Sequence, residues 1–145
     1  MSDEAKPTDI RGFEYDWLGC DAVGKVAFFS TAGGGYAPEE FLRDTDLFEA
    51  AIDILLACPL TTKARFAPQL SPGYENTWQL LAERGVFAYD SDPHGGPYRL
   101  VAAPEVPASL GHLPQGVVAV VRRIHFRDLH LADSPEIASE RLARR

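Results

Sequence analysis

The chain has 145 residues, 46% of them hydrophobic and 24% charged, and carries a formal net charge of −7. That is the size and balance of one globular domain able to bury its own core without metal or disulfide staples. The acidity argues against nucleic acid as a partner, because phosphate backbones are held by basic patches. No apolar run approaches the roughly 20 residues needed to cross a bilayer, so no membrane role is expected.

The charge is uneven. Residues 1–53 carry 12 acidic and 4 basic side chains, a balance of −8, so the remainder is close to neutral. An acidic face attracts a basic partner and speeds encounter with it. Net negative charge also serves solubility alone. Residues 1–12 are polar and acidic, read as a loose tail rather than a signal peptide, and point to the cytoplasm. Residues 13–145 read as a single domain. Cys20 and Cys58 lack Cys-x-x-Cys spacing and read as reduced thiols, with a disulfide or a reactive thiol as the alternatives.

In chain order, Phe13, Tyr15 and Trp17 alternate with Glu14 and Asp16, the period of a half-buried strand running to Cys20. A turn at residues 21–24 leads to a second strand over residues 25–31. Three glycines, Gly33 to Gly35, then precede Pro38, which suits a first helical position with Glu39 and Glu40 behind it. Phe41, Thr45, Phe48, Ile52 and Leu55 recur at helical spacing, giving one helix that Pro59 stops. Asp44, Asp46, Glu49 and Asp53 fall off that stripe toward solvent. Residues 59–74 read as an irregular connection, and residues 75–84 as a short helix with Trp78, Leu81 and Ala82 inward and Gly85 as its stop. Strands are expected at residues 86–89 and 98–103. The β-branched run at residues 117–126 reads as the clearest strand of all, and residues 135–145 as a C-terminal helix started by Ser134-Pro135. The order β-β-α-α-β-β-β-α implies an α+β fold: a single domain, mainly antiparallel sheet with helices packed on one face.

Strand, glycine loop and helix is also the layout of phosphate-binding loops. Here no Lys-Ser/Thr follows the glycines, and the last small residue of a dinucleotide fingerprint is replaced by Pro38. Glu39 and Glu40 occupy the helix start and would repel a phosphate. The glycines therefore read as conformational, allowing the chain to reverse.

Other chemistry is sparse. His94, His112, His125 and His130 show no metal-ligand spacing, and neither Ser30 nor Ser71 sits in a nucleophile elbow. No cofactor and no metal are expected. A thiol nucleophile at Cys20, or a histidine working with Asp21 or Asp90, is the enzymatic alternative. The aromatics read as core and cross-strand packing, with Trp17 and Tyr36, near the two turns, as candidate partner anchors.

Trp17-Leu-Gly-Cys-Asp21, Gly24-Lys-Val-Ala-Phe-Phe-Ser-Thr-Ala-Gly33 and Pro38 resemble the opening of small, uncharacterised bacterial proteins. Leu81 to Asp90, Tyr98 and Pro104 are similar to the same group, so the resemblance spans most of residues 13–126. Those proteins look like the immunity proteins encoded beside secreted polymorphic toxins. The resemblance implies binding and blocking a toxin, and it brings no catalytic motif and no residue-level site. The leading reading is a non-enzymatic binding module for a cognate protein, a basic toxin domain, using Asp44, Asp46, Glu49 and Asp53 with Trp17 or Tyr36 as anchors. A small enzyme, or a structural subunit acting as a monomer or homodimer, are the other two readings.

Overall fold

A computed structural model of the chain describes residues 12–68 and 76–143. Of the expected features, all but the last residue of the tail, Ser71, the first residue of the 75–84 helix and the last two residues lie outside these limits.

The fold is an α+β single domain. Strand β1 (Asp16–Cys20) and β2 (Val26–Ser30) form the expected hairpin, with Trp17 opposite Phe29 and Leu18 opposite Phe28. Asp21 fixes its turn. That buried carboxylate accepts from the backbone N–H of Val23 (3.0 Å) and Lys25 (2.9 Å), and its other oxygen accepts from the N–H of Leu131 (2.8 Å). One side chain thus closes the hairpin and ties it to a segment 110 residues later.

The chain then crosses through α1 (Glu39–Leu42), α2 (Thr45–Ala57), β3 (Ala64–Arg65) and α3 (Thr77–Ala82) before returning as β4 (Phe87–Asp90). Because a crossover rather than a hairpin joins them, β4 lies parallel to β2. Strand β5 (Tyr98–Pro104) runs antiparallel to β4 and takes β3 and β6 (Glu136–Ile137) on its other edge. Four pairings are antiparallel and one is parallel, so the sheet is mixed.

Successive strand residues point to opposite faces. One face carries Trp17, stacked on Phe29 at 4.0 Å and joined by Tyr89, Tyr98 and Phe126. The Tyr89 hydroxyl donates to the Ser134 carbonyl at 2.7 Å, so the segment around residues 126–134 lies over this side. On the other face are Asp16 and Leu18. Asp16 shares a groove with α2, which therefore covers that face, and α2 in turn packs on α3 and α4 (Gln115–Val121).

Three expectations need correction. The helix expected across residues 41–55 is two helices. Asp44 leaves helical geometry (φ −143°, ψ 49°), and the break lets Phe41 meet Phe48 edge-on. The apolar run at residues 117–126 is not a strand. Val117, Val120, Val121 and Ile124 are buried at helical spacing, and packing on α2 and β1 overrides the β propensity of valine. Arg122 and Arg123, just past the end of this helix, are both exposed. Residues 135–145 do not form one helix either. Glu136 and Ile137 form β6 and pair with β5, placing Ile137 beside Tyr98, and only Ser139–Ala143 is helical, as α5. No helix among the described residues is long and apolar enough to cross a membrane.

Candidate functional site

Three of the four singled-out acids converge. Asp46, Glu49 and Asp53 lie at i, i+3 and i+7 on α2, which puts them on one side of the helix. The chain entering β1 brings Glu14 and Asp16 to the same place. These five exposed carboxylates line a groove of about 490 Å³, floored by Tyr15, Phe41 and Ile52, with no basic side chain among its lining residues.

Asp44 is not among them. It pairs with Arg123 at 2.7 Å, across to the end of α4. Trp17 cannot anchor a partner, because it is completely buried and its Nε1 donates to the Tyr98 hydroxyl at 3.2 Å. Tyr36 is half-buried, its carbonyl accepts from that same Tyr98 hydroxyl, and it does not line the groove. The residue that sequence reasoning missed is Phe13. It is 61% exposed, stacks on Tyr15 with ring centroids 6.4 Å apart, and stands beside Glu14 at the groove's edge. Alternation with Trp17 suggested a core position, but the strand begins only at Asp16, so the alternation does not reach Phe13.

One carboxyl of the groove, Asp16, is perturbed, together with Asp90 two strands away. Register places Asp16, Ser30 and Asp90 in a row across three strands. Desolvation pushes the Asp16 carboxyl above its ordinary value. A bond from Ser30 opposes this, and the charges of Glu14, Asp90 and Glu49 add to it. Asp90 is raised the same way, chiefly by desolvation, and its Oδ1 is buried with no partner among the described residues. A carboxyl whose pKa is higher folded than unfolded holds its proton more tightly in the fold. Stability is then lost as pH rises through the folded value and regained below it. Asp90→Asn is therefore expected to stabilise the protein at about pH 7 and to change little at about pH 3, where both forms are neutral. Urea titrations of the variant and the parent at both pH values check this.

The residues of the enzymatic alternative stand apart. Burial first, then the charge of Asp21, raises the Cys20 thiol to about 11, with Arg122 opposing, so it is protonated at neutral pH, the reverse of an activated nucleophile. Asp21 is committed to three backbone amides. His94, His112, His125 and His130 are all exposed, and among the described residues no group of three or more His, Cys, Asp or Glu could hold a metal ion.

A second concavity, of about 640 Å³, opens where α2 ends. Leu55, Cys58, Arg84, Val106, His112 and Leu113 are among its walls. Comparison of the chain with protein-family models, curated proteins and solved structures finds no match.

Proposed function

We propose that this protein is a non-enzymatic binding module of the immunity type, which captures a basic protein domain and blocks it through the groove between β1 and α2. The observation that carries this reading is the set of five carboxylates around one concave surface without a basic residue among them. Desolvation first, and then the charges of Glu14, Asp90 and Glu49, disfavour the ionised form of Asp16 in the free protein. A lysine- or arginine-rich partner offsets that cost by favouring the ionised carboxylate. Phe13, exposed at the groove's edge, supplies an apolar contact beside the charges. Loss of the Trp17 anchor leaves the acidic part of the reading intact, because the acids converge independently of it.

The first test is genetic. The product of the adjacent reading frame, or its C-terminal domain, is expressed in a bacterium with and without this protein. Killing by the neighbour alone and survival in company support the proposal. A harmless neighbour, or killing regardless, removes it. With a partner in hand, the triple reversal Asp46→Lys, Glu49→Lys, Asp53→Lys is expected to slow association at least tenfold at low salt and to flatten its dependence on ionic strength. An unchanged on-rate and affinity would move the interface elsewhere.

A further inference from the structure

We propose that the pocket at the C-terminal end of α2 binds a medium-chain carboxylic acid, its chain against the apolar walls and its carboxylate on Arg84. This inference is independent of the acidic groove, which faces the chain before β1 rather than the turn after β5.

The pocket's volume, about 640 Å³, is that of an ordinary small-molecule site. Its walls are mainly apolar: Leu55 from α2, and Val106, Pro107, Leu113 and Pro114 from the loop after β5. Val106 is 68% exposed, an aliphatic side chain held at the mouth without a cover.

Arg84 is the single charged side chain lining this pocket, and no carboxylate lines it. Its guanidinium is held at two points. Nε donates to the Cys58 carbonyl at 2.8 Å, and Nη1 donates to the Leu80 carbonyl at 2.8 Å. Those bonds serve carbonyls at the ends of α2 and α3 and fix the plane of the group. Nη2 has no partner among the described residues. A half-buried, immobilised guanidinium in an apolar wall attracts an anion with little ordering cost. One cation offsets one negative charge, which favours a carboxylate over a phosphate dianion in a site with this little polar surface. His112 sits at the same rim, its Nδ1 held by the Ser109 hydroxyl at 3.1 Å, with Nε2 on the far side of the ring.

Cys58 provides the readout. It lines the pocket and is partly exposed, whereas Cys20 is buried and its thiol is raised to about 11. The rate of Cys58 alkylation by iodoacetamide is measured on the full chain with octanoate, octanol or octyl phosphate. Octanoate is expected to slow alkylation saturably, about tenfold at roughly ten times its Kd, and to raise the Tm, while octanol at equal concentration does neither. Arg84→Met should abolish the protection. Because that variant also frees two helix-end carbonyls, Gly111→Leu serves as the second. Gly111 lines the pocket and a Cβ there meets nothing within 4 Å, so the backbone accepts a side chain at this position. Gly111→Leu should keep the parent's circular dichroism and lose the octanoate effect. Equal protection by octanol, stronger protection by octyl phosphate, undiminished protection in a folded Gly111→Leu, or no protection by octanoate would each overturn the proposal.

Discussion

Gly34→Ala should cost at least about 3 kcal/mol of stability, although it adds a single methyl group. A Cβ at this position would lie 2.4 Å from the Asp92 carbonyl oxygen and 2.5 Å from both the Gly95 nitrogen and the Pro93 carbonyl carbon. All three are backbone atoms, so no side chain can swing aside. The opposing loop is closed on itself, with Gly95 N–H donating to the Asp92 carbonyl and His94 N–H donating to the Asp92 carboxylate. It cannot retreat without opening that turn. For a chain of this size the loss corresponds to a fall in Tm on the order of 10 °C. Thermal and urea unfolding of Gly34→Ala beside Gly111→Ala, where the new methyl meets open space, separates close approach from the ordinary effect of adding a side chain. A difference under about 1 kcal/mol between the two would refute the packing described. This also explains two of the three glycines after β2. Gly33 supplies the left-handed turn (φ 88°), and Gly34 lets two loops touch backbone to backbone.

Trp17→Ala should be more damaging, by about 4–5 kcal/mol, a large part of the 5–15 kcal/mol typical of a whole domain. The indole stacks on Phe29, meets Tyr98 edge-on at 6.0 Å, and is tilted against Phe126 at 6.2 Å. Removing it opens a cavity at the centre of the aromatic layer. It also takes a donor from the Tyr98 hydroxyl, which itself donates to the Tyr36 carbonyl at 2.7 Å. Trp17→Phe keeps the stack and loses the bond and some volume, so its cost should fall well below that of Trp17→Ala. Denaturant titrations followed by circular dichroism measure both. If Trp17→Ala is as stable as the parent, the side chain is not in the core. If it unfolds as expected, any loss of partner binding it causes reflects folding and not contact. Phe13→Ala is the appropriate probe of an aromatic contact at the groove, since that side chain is exposed.

Local chemistry determined a good deal of this protein from sequence alone. The hairpin of β1 and β2 was legible because its apolar residues and turn signals agree at the same positions, although its first strand starts at Asp16 and not at Phe13. The apolar period from Phe41 to Leu55 was legible as helical and put Asp46, Glu49 and Asp53 on the surface, but the break at Asp44 that divides it into two helices was not. The stop at Gly85, where φ is 90°, follows from what only glycine tolerates easily.

Tertiary structure decided the rest, wherever one pattern satisfies two periods or a partner is distant in sequence. Gly116 to Val121 is apolar at nearly every position, so it fits a buried strand or a buried helix equally. Only the surfaces of α2 and β1 select the helix. Phe13 and Trp17 belong to one alternating stripe, yet one is exposed and the other is the centre of the core, because the sheet begins between them. The groove depends on α2 folding back over β1 to bring Glu14 and Asp16 beside Asp46, Glu49 and Asp53. The pocket at the other end of α2 depends on the loop after β5 meeting Arg84. Neither meeting is encoded in local spacing, since each joins residues far apart in the chain through the burial of the apolar faces between them.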